Sequence, residues 1–469
     1  MSGMDEQERN QYQKLVLTPV RRLIPALAVP TVASMMVTMI YNLVDAYFVG
    51  LIGTSAAAAT GILISVQAVF QAIGFMHGHG AGSIISRKLG AGDEEAAHRY
   101  ASTAFFSALA ISCVLALLGL LFLEPLMRLL GSTETILPYA KSYGFYMLVA
   151  GPGLAVACVL NNIMRYEGKA FYAMIGLVSG GVLNMVGDPI LMFGLGMGID
   201  GAGLSTAASQ WISVGILGYM FVSGKTISRI NPRRITRSAG EYMGMLRNGF
   251  PSLVRQVLNS VATMTLNICA GPYGDAAIAA MTIDGRIMML MGSVMIGIGQ
   301  GLQPVAAYNY GARKYRRVRQ GFKFTWALSE VLMGIFAVVG WVFAAQLVWL
   351  FRADPAVVEA GVPALRCMCV AVVAQCLGVV CSMSFQSIGW SGYASFLASL
   401  RSGIYYIPTL LVAPRFLGLA GIQSAQMIAD ILTLLTCIPF AVEFFRRLPD
   451  RDERCSTDEA YDEAVRQAA

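Results

Sequence analysis

Residues 51–76 read LIGTSAAAATGILISVQAVFQAIGFM, twenty-six consecutive positions with no charged side chain. A hydrocarbon core about 30 Å thick is crossed by roughly 20 apolar helical residues. In lipid a helix satisfies its backbone polar groups within its own segment. This stretch is therefore predicted to be a membrane helix, and comparable stretches recur on both sides of it. Leu23–Val44 precedes it; Tyr100–Leu123, Ser142–Met164, Ala170–Gly187 and Gly201–Gly224 follow. Beyond a basic linker come Gln256–Gly274, Ile287–Ala312 and Val331–Phe351, then the long run Cys367–Leu400. A turn-like stretch at Ser387–Gly392 divides that run into one whole span and the start of the next. The eleventh span continues toward Pro414, and the twelfth runs from Gly421 to Val442 through Asp430.

Composition agrees with twelve spans. Of 469 residues, 56% are hydrophobic and 13% charged, where soluble chains carry roughly a quarter charged. Disordered, disulfide-framework and ordinary soluble-enzyme classes are excluded. The basic residues also alternate by side. Twenty-six of the 34 Lys and Arg fall in the termini and in alternate connections, five in the opposite connections and three within spans. The positive-inside rule then predicts that both termini and the linker are cytoplasmic. The net charge of +7 reports this topology and not a nucleic-acid surface. Met1 to Lys14 is polar and lacks a cleavage-site pattern, so the first span reads as retained.

The chain repeats itself. At an offset of 221 residues Pro30 meets Pro251, Gly53 meets Gly274, Gly80 meets Gly301, Gly90 meets Gly311, Met147 meets Met368 and Gly168 meets Gly389. A one-residue gap then aligns Gly198 with Gly418 and Gly201 with Gly421. The expected organisation is a cytoplasmic N-terminus (1–22), an N-lobe of spans 1–6 (23–224), a basic linker (225–247), a C-lobe of spans 7–12 (248–446) and a cytoplasmic tail (447–469). An even number of spans per half implies a parallel repeat, two six-helix bundles related by a pseudo-two-fold along the membrane normal. Secondary transporters are commonly built this way.

Each half is a control for the other. Asp45 faces Leu266, Asp188 faces Thr409, Asn184 faces Tyr405 and Tyr143 faces Ala364. Asn161 pairs with Ser382 and Thr206 with Gln426. The N-terminal half therefore carries acidic and polar residues that its copy lacks. Asn184 and Asp188 are one helical turn apart, as are Tyr41 and Asp45. A carboxylate at membrane depth costs about 2.5–3.5 kcal/mol on insertion scales and marks an ion path. Two carboxylates together could hold a proton, or share a Na⁺ with the Asn184 and Thr206 oxygens. Asp45 alone reads equally as an interfacial residue, being five positions before Gly50. Pro189 beside Asp188, and Pro30 in span 1, each remove a backbone donor and permit a kink.

Other polar residues carry less. His77 and His79 have no third ligand nearby and read as helix-end packing, and no metal site is expected beyond a possible Na⁺. Arg255, Asp284, Arg286, Glu330 and Asp430 lie at or near membrane depth without an assigned role. Six of the nine cysteines sit in apolar runs as small packing residues. No nucleophile–base pair is visible, so an enzyme is not expected.

The stretch Tyr41-Asn-Leu-Val-Asp45-Ala-Tyr-Phe-Val-Gly50, with Asn184-Met-Val-Gly-Asp188-Pro189 and Gly78-His-Gly80 followed by Leu89-Gly90-Ala91-Gly92, resembles the multidrug and toxic compound extrusion (MATE) transporters. The resemblance spans nearly the whole chain. It implies a V-shaped pair of six-helix bundles exporting organic, often cationic, compounds in exchange for Na⁺ or H⁺ by alternating access. It is to the prokaryotic subgroup with an N-lobe acidic site, and implies cation coupling at Asp45, Asn184, Asp188 and Thr206. It further implies a network or cavity role for Tyr41, Tyr143 and Asn161, and a bend in span 1 at Pro30. Span 7 offers Arg255, Gln256 and Asn259 and span 10 no carboxylate, unlike branches with a functional acid there. The expected protein is a cofactor-free monomer of the bacterial cytoplasmic (inner) membrane, with small organic molecules and the lipid bilayer as partners. The alternative is a lipid-linked saccharide flippase of the same superfamily, which would use basic residues such as Arg255, Arg286 and Arg401.

Overall fold

The computed structural model describes residues 6–468; the first five residues of the expected N-terminal segment and the last residue of the tail lie outside them. Among the described residues every regular element is helical. Twelve long helices carry the chain: span 1 (Val20–Gly50), span 2 (Thr54–Gly90), span 3 (Glu94–Leu121), span 4 (Leu137–Tyr166), span 5 (Ala170–Gly194), span 6 (Ile199–Val222), span 7 (Ala239–Ala270), span 8 (Asp275–Gly311), span 9 (Tyr315–Val342), span 10 (Pro355–Ile388), span 11 (Ser391–Leu417) and span 12 (Leu419–Arg447). Ten are apolar enough to cross a membrane on composition alone, and the more polar spans 6 and 7 complete the set.

The repeat is visible in backbone geometry. Span 4 ends with Gly168 at φ 76°, its N–H on Arg165 O (2.9 Å), and span 10 ends with Gly389 at φ 92°, its N–H on Gln386 O (3.3 Å). A glycine in the left-handed region closes the last turn in each case. Arg313, at φ 57°, is the described non-glycine residue in that region, and its repeat partner is Gly92. Spans 4 and 10 are the most enclosed of the ten apolar helices, with 78% and 72% of their apolar windows buried. In the N-terminal half this enclosure needs close backbone approach: a Cβ on Gly74 would lie 2.7 Å from Ala155 O, and one on Gly78 2.9 Å from the Asn162 side chain.

Two compact units emerge. One comprises Ala33–Gly249 with the terminal segments up to Gln13 and from Ser456 onward; the other comprises Lys14–Val32 and Phe250–Cys455. The first unit thus begins three residues after Pro30, although span 1 is one continuous helix through Pro25 and Pro30. Span 7 starts at Ala239, inside the stretch read as linker. Met245 is buried there, and Asn248 donates to Ser83 Oγ and, at 3.4 Å, to Gly80 O. The remaining linker is held by Glu167, whose carboxylate accepts from the backbone N–H groups of Ile227 (2.9 Å) and Ser228 (3.0 Å) and from the Ser228 hydroxyl.

Candidate functional site

The N-terminal unit gathers its polar residues from four helices. Span 5 presents Asn184 and Asp188 one turn apart, both buried at 2% and 0% exposure. Asn184 Nδ2 donates toward Asp188 Oδ1 (3.1 Å), Thr206 Oγ1 (3.2 Å) and Ser205 Oγ (3.4 Å). The Ser205 hydroxyl returns a bond to Asn184 O at 3.2 Å. Spans 5 and 6 are thereby locked together at this level. From span 4, Tyr143 OH donates to Asp45 Oδ2 of span 1 at 3.4 Å. The Asp45 and Asp188 carboxyl groups face one another within interacting distance, and Tyr143 also reaches Thr206.

The arrangement is rich in acceptors and poor in donors. Asp45 Oδ1, Asn184 Oδ1 and Asp188 Oδ2 are all buried with no hydrogen-bond partner. A buried oxygen left without a donor costs about 1–3 kcal/mol, and more when charged. All three belong to residues of this one cluster, and oxygen donors are the kind that suit a hard cation or a proton. Tyr41 packs on Gly181, where a glycine Cβ would lie 3.0 Å from its ring, and its hydroxyl reaches Gln210. Thr206 and Gln210 also line a small crevice with Gln67, Phe70, Met147, Ala150, Gly151 and Leu154. Through Thr206 this crevice adjoins the polar cluster.

Of the residues singled out in the sequence, Asp45, Asn184, Asp188, Thr206 and Tyr143 converge, and Tyr41 stands at their edge. Asn161 lies apart from them: its Nδ2 donates to Ala173 O at 2.9 Å, joining span 4 to span 5. The repeat-related Ser382 makes the same bond to Ala394 O at 3.3 Å in the other half. Ser205 and Gln210 were missed. Both differ from their repeat partners, Ala425 and Asp430, so the comparison of halves contained the signal.

The C-terminal half has filled the corresponding level differently. Arg401 Nε donates to Asp430 Oδ1 at 2.8 Å, and Gln426 Nε2 to Asp430 Oδ2 at 2.9 Å. Asp430 is 0% exposed and carries its own fixed counter-ion.

The sequence pattern of the MatE family matches this chain twice, over residues 30–190 and 251–412. The chain belongs to the MatE family. Its membership accounts for the repeat, since the second match begins 221 residues after the first. Similar to this MatE chain are the multidrug export protein MepA of Staphylococcus haemolyticus, 27% identical over 86% of this chain and 89% of that protein, and MepA of Staphylococcus aureus strain MRSA252, 24% identical over 93% and 96%. A solved structure described as the outward-facing conformation of a multidrug resistance MATE family transporter of the MOP superfamily superposes with a TM-score of 0.87 and 26% identity, covering 94% of this chain and 98% of that one. The MatE chain is a multi-pass membrane transporter, all helical with twelve spans, and not an enzyme.

Proposed function

We propose that this transporter is a multidrug antiporter, exporting organic, often cationic, compounds in exchange for Na⁺ or H⁺. The observation that carries the reading is the set of three buried, unpartnered oxygens on Asp45, Asn184 and Asp188. The export function of the MepA proteins supports the cargo class. In this reading the lobes are residues 23–224 and 248–446, the termini and linker are cytoplasmic, and the monomer sits in the bacterial inner membrane.

The ion enters with the cavity open outward, driven by a membrane potential worth about 2.3 kcal/mol per charge per 100 mV. It offsets one negative charge of the Asp45–Asp188 pair and draws the outer part of span 1 toward span 5, with Pro30 as the weak point of the helix. The crevice beside Thr206 and Gln210 changes shape, the drug leaves, and the lobes exchange access. Coupling requires that ion and drug favour different states.

Dye efflux from cells lacking their own exporters tests the reading. At equal membrane abundance, Asp188→Asn is expected to reduce energy-dependent efflux to background. Undiminished efflux from that variant would remove Asp188 from the coupling site. The flippase alternative is weakened because Arg401, one of the basic residues it would use, is tied to Asp430.

A further inference from the structure

Span 8 turns a buried stripe toward its unit: Ala280, Met281, Ile287, Met291 and Met295 are all at most 9% exposed, at helix-face spacing. Asp284 lies in the middle of that apolar stripe at 0% exposure. Neither of its oxygens has a hydrogen-bond partner. The titratable group facing it is the Cys369 thiol of span 10, itself 1% exposed.

The charged groups of the elements packed against span 8 are engaged or directed elsewhere. On span 10, Arg366 stands over the Trp341 ring and Glu359 is exposed. On span 9, Glu330 accepts from Trp326 Nε1. At the start of that span Arg317 donates to Leu15 O and Thr18 O, Arg319 pairs with Asp450, and Lys323 lies over Phe445. Arg316 sits beside Asp452, which accepts from its backbone N–H. The helix Ala344–Phe351 carries no charge. On span 8 itself Arg286 is exposed.

The other half supplies the control. The repeat partners of Asp284 and Cys369 are Leu63 and Leu148, 1% and 2% exposed within one apolar core. Leucine therefore satisfies the packing of this slot, and the fold does not require a carboxyl there. A hard metal ion would need several oxygens, whereas the neighbouring wall is sulfur: Cys369 Sγ and Met291 Cε meet over Gly340. A single carboxyl without donors or counter-charge is suited to carrying a proton.

We infer that Asp284 is a second proton-binding site, in the C-terminal half, separate from the Asp45–Asp188 pair and occupied in the conformation described. This holds whichever ion the N-terminal site takes.

Infrared spectra of purified protein in lipid, with isotope-labelled aspartate, test it. Wild type is expected to show a protonated aspartic carbonyl band at neutral pH. Asp284→Asn and Asp284→Leu, the latter copying Leu63, are expected to lose one component of that band, a component that Asp188→Asn keeps. Absence of the band in wild type overturns the inference whatever the variants' folding. A band of undiminished intensity in either folded Asp284 variant overturns it equally.

Discussion

Asn184 has two amide hydrogens for three acceptors, at 3.1, 3.2 and 3.4 Å. Spending its donors on Asp188, Thr206 and Ser205 turns its own carbonyl oxygen into the site without a partner. Asn184→Ala removes both features. One hydrogen bond to a charged group is worth about 1.5 kcal/mol or more, so initial rates of gradient-driven export are expected to fall about tenfold in folded protein. An unchanged rate would mean that Asn184 only packs. The acidic cluster was legible in the sequence because a duplicated chain exposes residues that only one copy needs. The same comparison misleads where different residues do one job: Asn161 and Ser382 differ in type, yet both bridge to the carbonyl one helix on. Hydrogen-bond equivalence is a property of the fold, which residue identity does not report.

At the level of helices, span number and the turn at Gly389 followed from hydropathy and glycine placement, whereas helix ends did not. Span 7 begins well before its apolar run because Met245 and Asn248 pack and bond against span 2, a tertiary effect invisible to hydropathy. Glu167 holds the linker next to it. Burial pushes its carboxyl above the ordinary 4.5, with the Ser228 and Ile227 donors working against that shift. The folded chain thus keeps this proton to higher pH than the unfolded chain. The anchor's contribution is full below 4.5 and declines as pH rises toward the folded-state value. Hydrogen exchange at Ile227 and Ser228, corrected for intrinsic rates, should accelerate over that rise. In Glu167→Gln the pH dependence should vanish. In span 11, Arg401→Leu would strand Asp430. Because Arg401 is 34% exposed, the loss is expected at the order of 2 kcal/mol, below that of a fully buried pair. Thermal unfolding in detergent should show this loss, with recovery in Arg401→Leu/Asp430→Leu.

For the whole molecule, duplication followed by divergence describes the chemistry. The N-terminal half keeps buried carboxyl and amide oxygens without hydrogen-bond partners, while at the corresponding level of the C-terminal half Asp430 is bound to Arg401. If ion and drug share one conformational equilibrium, each lowers the other's affinity by the same factor, typically about 5–150-fold. Titration of a fluorescent cationic drug should therefore weaken with rising Na⁺ or H⁺, and Asp188→Asn should abolish the effect of whichever ion couples. The most direct test uses purified protein in liposomes, with dye transport followed under a Na⁺ gradient and a pH gradient imposed separately. The account predicts that one of the gradients drives dye movement in wild type and fails to do so in Asp188→Asn. Dye movement that is equal in both proteins, or absent from folded wild type under either gradient, would contradict it.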